Sequence, residues 1–220
     1  MPITITIDGP AGAGKSTVAR QLAERLGFVY VDTGAMYRAL TLSVLVHHVS
    51  PADAEAISSL LRETRIDLTA SGVRLNGRDV SAEIRTPKVD QAVSRVSAHA
   101  AVRAFMLGLQ REKARGGGVV IEGRDAGTAI APHAERKFFL TATLEERTHR
   151  RVEELRSRNI DVREGELRES IARRDAEDRS RALAPLTVPE DAEIVDTTGL
   201  TVEEIVTHLT DRCVGVEARP

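Results

Sequence analysis

The feature that most constrains this chain is a glycine-rich run, GPAGAGKS, at residues 9–16. It matches G-x-x-x-x-G-K-[ST] at every fixed position, follows an apolar run at residues 3–7, and precedes apolar residues at helical spacing. In such a strand–loop–helix unit, backbone N–H groups surround phosphate oxygens, the lysine reaches the β- and γ-phosphates, and the next hydroxyl binds Mg²⁺. The run therefore predicts a nucleoside triphosphate site. The predicted triphosphate-binding residues are Gly9, Pro10, Ala11, Gly12, Ala13, Gly14, Lys15, Ser16 and Thr17, with Lys15 also catalytic and Ser16 a metal ligand.

Five short apolar runs predict the strands of the fold. They cover residues 3–7, 28–31, 118–121, 137–140 and 193–195. The runs are almost continuously apolar and alternate with helical patterns, which is typical of parallel strands covered on both faces. We therefore predict an α/β fold with a five-stranded parallel sheet and helices on both of its faces.

Capping residues mark several predicted helix boundaries. The predicted starts are Ser50 with Pro51, Thr86 with Pro87, Thr143 with Glu146, and Thr201 with Glu204, and the predicted ends are Gly27 and Gly116.

Two stretches interrupt the alternation of strands and helices. Residues 66–84 predict small antiparallel strands with turns at Ser71-Gly72 and Asn76-Gly77, followed by a helix from Pro87. Residues 147–181 hold eleven Arg, nine acidic residues and no Lys. Most of these arginines are expected to form i,i+4 ion pairs on solvated helices.

The composition excludes several classes of protein. Lys plus Arg total 31 and Asp plus Glu total 33, so the cationic excess of a nucleic-acid binder is absent. Aromatic residues make up 3%, too few for base-stacking platforms. The single cysteine, Cys213, excludes an intrachain disulfide. With no long apolar run and no signal-like start, we expect a cytoplasmic protein that binds neither membranes nor nucleic acids.

The sequence DTGAMYR at residues 32–38 follows the second predicted strand. It places Thr33 at the start of a helix and Arg38 just over one turn inside it. Because loops after parallel strands line the ligand crevice of a doubly wound sheet, the Thr33 hydroxyl, free N–H groups and Arg38 would surround one anion. The alternative is an N-capped amphipathic helix with a surface arginine.

The sequence EGRDAGT at residues 122–128 follows the third predicted strand. Arg124 can bind a phosphate through two parallel hydrogen bonds. Asp125 would repel a phosphate, so we expect it to read N–H donors, such as the exocyclic amine of cytosine. The alternative is an Arg-Asp turn at the surface.

Arg174, Asp178 and Arg181 have the spacing of one helix face. They could form an ion-pair ladder, or a mixed site with the arginines on phosphates and the carboxylate on sugar hydroxyls. The spacing alone does not choose between these two interpretations.

Several nucleotide-binding classes remain as rivals. A switch GTPase is not indicated, because neither Asn76 nor Asn159 is followed by Lys in an N-K-x-D sequence. A kinase for UMP or for a small non-nucleotide metabolite would share the phosphate loop. A regulatory nucleotide-binding protein would show nucleotide-stimulated partner binding and slow hydrolysis.

Four motifs in register resemble the bacterial cytidylate kinase family. They are DGP leading into the glycine-rich run, DTGAMYR at 32–38, EGRD-x-GT at 122–128, and R-x-x-x-D-x-x-RA-x-APL at 174–186. The resemblance extends over residues 3–210 and includes VS-x-EIRT at 80–86. It implies one kinase domain over residues 1–220, with a core (1–62, 116–146 and 182–220), a monophosphate-binding insert (63–115) and a helical lid (147–181).

The resemblance also implies the reaction and the residue roles. ATP would phosphorylate CMP, and dCMP too, with Mg²⁺, and the enzyme would be a monomer. Cytosine would contact Ser94, Arg103 and Asp125. The acceptor phosphate would contact Arg38 and the catalytic Arg124, with Thr33 nearby. Ribose would contact Arg174 and Asp178, and Arg181 would lie close to the monophosphate. Arginines between 147 and 163 would cover ATP. The chain departs from the family at Ala126, at Ala129 and around Arg163.

Overall fold

The structure is a computed structural model that describes residues 2–69, 72–157 and 159–216. Ser71, at a predicted turn, and Arg158, in the predicted lid, lie outside the described residues. The chain divides into two compact units, one formed by Met1–Tyr30 with Gly116–Pro220 and the other by Val31–Arg115.

A five-stranded parallel sheet organises the first unit. Its strands, in the order β2-β6-β1-β7-β8, are β1 (Thr4–Asp8), β2 (Val29–Asp32), β6 (Val119–Gly123), β7 (Arg136–Thr141) and β8 (Glu193–Asp196). The registers of β1 with β6, of β1 with β7 and of β7 with β8 are parallel. All five predicted strands are confirmed, with ends that differ by at most two residues.

Two helices of the first unit, α1 (Lys15–Leu26) and α8 (Val202–Cys213), share an apolar core with this sheet. The unit also contains α6 (Leu144–Ser157), α7 (Glu164–Ser180) and a π-helical turn at Ala126–Ile130. One core cluster joins β1, α1, β7 and α8 through residues such as Ile5, Leu22, Phe138 and Leu209. Burial of this core fixes the position of the loops at the carboxyl ends of β1 and β6.

The second unit has its own apolar core and a small antiparallel sheet. The helices are α2 (Thr33–Val46), α3 (Ala54–Leu61), α4 (Pro87–Ala98) and α5 (Ala100–Ala114), and the strands are β3 (Ile66–Thr69), β4 (Gly72–Leu75) and β5 (Arg78–Asp79). The three strands pair antiparallel in chain order, as the sequence predicts. Met36, Leu40, Ile57 and Met106 are completely buried between these elements.

Most of the predicted helix boundaries are confirmed. Thr86 is the N-cap residue of α4, Gly27 ends α1 in the left-handed region, and Thr201 forms a full capping box with Glu204. The predicted start at Ser50 is wrong. Asp53 caps α3 instead, because its side chain accepts from the backbone N–H of Ala56.

The segment before α3 explains this difference. The Ser50 carbonyl accepts from the Asp53 N–H at 2.9 Å, which closes a turn around Pro51. A proline after a hydroxyl residue suits a turn as well as a helix start, and here the second capping residue, three positions later, prevails.

No helix among the described residues is both long enough and apolar enough to cross a lipid bilayer. Cys213 is buried at the end of α8, and burial raises the pKa of its thiol to about 11.

Candidate active site

The glycine-rich run at residues 9–16, here called the phosphate loop, joins β1 to α1. Its glycines have positive φ where the chain turns, and Gly14 leads directly into α1 at Lys15. At Gly9, with φ of 146°, an added Cβ would lie 2.0 Å from the backbone oxygen of Leu140 in β7. Only glycine therefore allows the loop to leave the sheet this close to the neighbouring strand.

Lys15 is almost completely buried at the start of α1. Its Nζ donates to the carbonyl oxygen of Pro10 at 2.7 Å, so the ammonium group lies against the phosphate loop. Burial lowers the pKa of Lys15 to about 7, and the nearby charges of Arg124 and Arg174 act in the same direction, whereas Glu122 opposes them. An anion bound next to such a lysine would stabilise the charged ammonium form and raise the pKa again.

Ser16 lies next to a carboxylate from a neighbouring strand. Its Oγ donates to Oε1 of Glu122, the buried residue near the end of β6, at 2.7 Å. A hydroxyl and a carboxylate are oxygen ligands of the kind that Mg²⁺ prefers. The donor set at this end of the phosphate loop therefore fits the predicted metal.

Asp8 ends β1 and connects it to the loop that follows β6. Its two carboxylate oxygens accept from the backbone N–H groups of Ala126 at 2.8 Å and of Gly127 at 2.7 Å. Burial raises the pKa of Asp8 to about 6, although both N–H groups oppose the shift. Asp8 thus fixes the backbone directly after Arg124 and Asp125.

Arg124 pairs with Asp178 of α7. Nε of Arg124 donates to Oδ2 of Asp178 at 2.8 Å, and Arg181 approaches Oδ1 of the same carboxylate at 3.7 Å. Burial alone would raise the pKa of Asp178, but the charges of Arg124, Arg174 and Arg181 outweigh it and hold the pKa below its usual value. The structure therefore brings three partly buried arginines close to the buried carboxylate of Asp178.

Asp125 is 5% exposed and begins the π-helical turn. Its carbonyl oxygen accepts from the N–H of Ala129 at 2.8 Å, and the side chain lies inside the unit rather than at the surface. This burial excludes the surface-turn alternative. Ala126 follows with no exposed area, so the small side chain suits the close approach of this turn to β1.

In the second unit, Arg38 lies on α2 and is mostly buried. Its guanidinium donates to the carbonyl oxygen of Ile84 at 3.2 Å and to a carboxylate oxygen of Asp90. Thr33 is buried at the start of the same helix. The expectation of free N–H groups at this helix end is wrong for one of them, because the Asp32 side chain accepts from the N–H of Ala35 at 2.7 Å.

Ser94 and Arg103, on α4 and α5, belong to one polar group in the second unit. Ser97 connects them, since its Oγ donates to the Ser94 carbonyl at 3.0 Å and its own carbonyl accepts from Arg103 at 3.5 Å. The guanidinium of Arg103 lies 5.7 Å from the centre of the Tyr37 ring. Among the described residues, the buried Oγ of Ser94 has no hydrogen-bond partner.

The arginines of the predicted lid differ in their surroundings. Arg147 and Arg150, at the start of α6, bind backbone groups and acidic side chains of the first unit. Arg163 is exposed and pairs with Glu166. Sequence reasoning did not separate these cases, because all are arginines in one mixed-charge segment.

The structure also shows two polar residues whose contacts the sequence does not indicate. Asp175 of α7 binds Arg147 and lies against the phosphate loop. Asp90 of α4 pairs with Arg38. A buried carboxylate in a helix with many surface charges leaves no local signal, although Asp175 lies three residues before Asp178 and hence on the same helix face.

The sequence profile described as cytidylate kinase matches residues 5–214 of this chain. The chain belongs to the cytidylate kinase family. A cytidylate kinase from Caldanaerobacter subterraneus subsp. tengcongensis is 52% identical over 94% of this chain and 92% of its own length. A second cytidylate kinase, from Geobacillus kaustophilus, is 51% identical over 94% of both chains.

Solved structures support the same fold at much lower identity. A gluconokinase from Sinorhizobium meliloti has a TM-score of 0.51 and 14% identity, covering 96% of this chain and 91% of its own. An uncharacterized protein from Eubacterium ventriosum has a TM-score of 0.54 and 16% identity, covering 97% of this chain and 99% of its own. At these identities the likeness concerns the α/β kinase fold alone, and the substrate class follows from the cytidylate kinase family.

Proposed function

We propose that this chain transfers the γ-phosphoryl group of ATP to CMP, and to dCMP, giving ADP and CDP or dCDP. The observation that carries the proposal is the cationic cluster of the first unit. Arg124 and Arg174 are close enough to Lys15 to lower the pKa of its ammonium group. An ammonium group that is destabilised by two neighbouring cations suits a place where anionic phosphates bind and react.

The proposed roles follow the contacts within each unit. In the first unit, the phosphate loop binds ATP, Arg124 binds the acceptor phosphate, Asp125 reads the base, and Asp178 with Arg174 binds ribose. Arg181 supports Asp178, which it approaches at 3.7 Å. In the second unit, Thr33 and Arg38 bind the acceptor phosphate, and Ser94 with Arg103 binds cytosine.

The acceptor phosphate is already ionised, so the transfer requires no general base. Catalysis then consists of in-line positioning and of neutralising charge on the transferred group. Lys15 supplies one positive charge from inside the loop, and Arg124, already oriented by Asp178, supplies another. Arginines of the predicted lid would exclude water, which would otherwise hydrolyse ATP.

Mg²⁺ would be held by the Ser16 hydroxyl, with Glu122 beside it. The ion would neutralise charge on the β- and γ-phosphate oxygens of ATP. Asp8, Asp32 and Glu122 are further candidates to hold the ion through water, and Asp8 and Asp32 also accept from backbone N–H groups.

The buried hydroxyl of Ser94 supports the proposed base contact. A buried polar group without a partner costs about 1–3 kcal/mol, which a hydrogen bond to a ligand would recover. The exocyclic amine and ring nitrogen of cytosine offer such a bond, and Asp125 would accept from the amine.

A coupled assay of ADP release across the nucleoside monophosphates tests this function. We expect CMP and dCMP to support rapid turnover with ATP and Mg²⁺, UMP to support slower turnover, and purine monophosphates to support almost none. Equal rates with all acceptors, or ATP hydrolysis without an acceptor, would contradict the proposal.

The predicted division into core, insert and lid, the cytoplasmic location and the monomeric state are also proposals. Cell fractionation and light scattering of the purified chain test the last two.

A further inference from the structure

A closed ring of hydrogen bonds joins the phosphate loop to α6 and α7. The Ala11 N–H donates to Oδ1 of Asp175 at 3.4 Å, and Oδ2 of Asp175 accepts from Nη1 of Arg147 at 2.6 Å. The same Nη1 donates to the Ala11 carbonyl at 3.0 Å. Both backbone groups of one loop residue are therefore bound by one ion pair.

Two further contacts hold Arg147 in this ring. Its Nε donates to the carbonyl oxygen of Ala142 at 3.1 Å, which fixes the plane of the guanidinium. A Cβ added to Gly12 would lie 3.1 Å from both Cβ and the carbonyl oxygen of Arg147. The loop backbone and the first turn of α6 are thus in direct contact at Ala11 and Gly12.

A second arginine of α6 supports the loop farther along. Nη1 of Arg150 donates to Oγ1 of Thr197 at 3.0 Å, and Nη2 donates to the carbonyl oxygen of Thr197 at 2.6 Å. The Thr197 hydroxyl in turn lies 3.4 Å from the carbonyl of Ala13. Arg147 and Arg150 are three residues apart, so one face of α6 supports the loop at two places, directly through Arg147 and through Thr197 in the case of Arg150.

Burial of the ion pair formed by Arg147 and Asp175 costs desolvation free energy when the chain folds. Their side chains are 7% and 6% exposed. Desolvation of a buried ion pair is offset only when hydrogen bonds satisfy its remaining atoms, and apolar replacements of such pairs are often neutral or stabilising. A role in holding a specific backbone position would explain a pair that stability alone does not require.

We propose that Arg147 and Asp175 are positioning residues for ATP, which act through the backbone of Ala11. They hold the outer side of the phosphate loop, so that its inner N–H groups keep the curvature that surrounds phosphate oxygens. In this role Arg147, unlike what is expected of the other arginines in the predicted lid, affects the triphosphate through the loop and does not contact it. The inference rests on the proposed function of the loop as the ATP site.

The first test uses Asp175→Asn in the full-length chain. The substitution keeps the size of the side chain but removes the charge that orients Arg147. We expect the KM for ATP to rise about tenfold, because hydrogen bonds involving charged groups contribute on this scale. The KM for CMP should change by less than about twofold. A purely structural role would lower the active fraction and leave both KM values unchanged, which would overturn the proposal.

The second test separates positioning from stability. Arg147→Met combined with Asp175→Leu replaces the ion pair by apolar side chains of similar length. Because no buried charge is then left unpaired, the midpoint of thermal unfolding should be close to that of the parent chain. Ala11 would still lack both partners, and the KM for ATP should stay about tenfold high. Recovery of the KM together with the midpoint would overturn the proposal. This variant also decides the matter if Asp175→Asn does not fold.

Glu145→Gln is the matched control. Glu145 pairs with Arg168 at 2.9 Å and also connects α6 with α7, but this pair is exposed and does not touch the loop. Its loss should leave both KM values as in the parent chain, and a rise in the KM for ATP equal to that of Asp175→Asn would overturn the proposal. If the parent chain itself fails to phosphorylate CMP, the proposed function fails, which is distinct from failure of the inference.

Discussion

The buried carboxyl of Asp8 should titrate near pH 6 and should make stability depend on pH. Burial raises its pKa from 3.8 to about 6. This is about 2 pKa units, and at about 1.4 kcal/mol per unit it corresponds to about 3 kcal/mol. We therefore expect the free energy of unfolding of the parent chain, relative to that of Asp8→Asn, to fall by about 2 kcal/mol between pH 4 and pH 7, since part of the full effect already occurs below pH 4.

The sign follows from proton counting. The folded-state pKa lies above the unfolded value, so between about pH 4 and pH 6 the native chain keeps a proton that the unfolded chain has lost. Stability from this group is therefore complete at low pH and is lost as the pH rises through about 6. Asp196 provides the opposite case, because bonds from Thr198 lower its pKa, and its contribution is lost as the pH falls.

Two measurements check this prediction. Carbon NMR of the aspartate carboxyl groups, with the Asp8 signal assigned by its absence in Asp8→Asn, gives the pKa directly. Urea unfolding of both chains from pH 4 to pH 7 gives the stability difference. A pKa at or below 3.8, or a difference that does not vary with pH, would refute the reasoning.

Three further predictions concern the proposed reaction and one concerns the fold. Arg124→Ala should lower kcat about 10²- to 10³-fold with little change in affinity for ATP, measured by steady-state kinetics and calorimetry, and unchanged CMP phosphorylation would refute the role. Asp125→Ala should reduce the preference for CMP over UMP by about tenfold or more, and an unaltered ratio of kcat/KM values would remove the base-reading role. ATP binding should take up protons at pH 8, because bound phosphate raises the pKa of Lys15 from about 7; calorimetry in buffers of different ionisation enthalpy measures this, and an absence of uptake contradicts it. Thr201→Ala should lower the free energy of unfolding by about 1 kcal/mol through loss of the capping box of α8, with Thr207→Ala inside the same helix as the control, and equal losses would contradict the capping explanation.

Features coded by neighbouring residues could be predicted from the sequence. The strand at β1, the phosphate loop and the capping box at Thr201 each depend on a few adjacent positions, and each is confirmed. The predicted helix start at Ser50 was wrong because a second capping residue, Asp53, lies three positions later. The proline at position 51 suits either a turn or a helix start. Local propensity cannot decide between two such neighbours.

Contacts across the chain could not be predicted in the same way. Asp8 accepts a hydrogen bond from Ala126, 118 residues away in the sequence, and Asp175 accepts one from Ala11, 164 residues away. Each partner is a backbone N–H group, which has no sequence identity to recognise. The sequence indicates Arg124 and Asp178 in two separate motifs but not their pairing, since the distance between the two elements is set by packing of the fold.

The close approach of Gly9 to β7 means that a glycine at this position in related sequences is required by the fold and is not by itself evidence of nucleotide binding. A side chain there would collide with the Leu140 carbonyl whether or not a nucleotide ever binds. Selection would therefore retain this residue even in a descendant that had lost all enzymatic activity. Its presence in a distant chain therefore indicates an intact sheet, whereas catalysis is indicated by residues such as Lys15, Ser16 and Arg124.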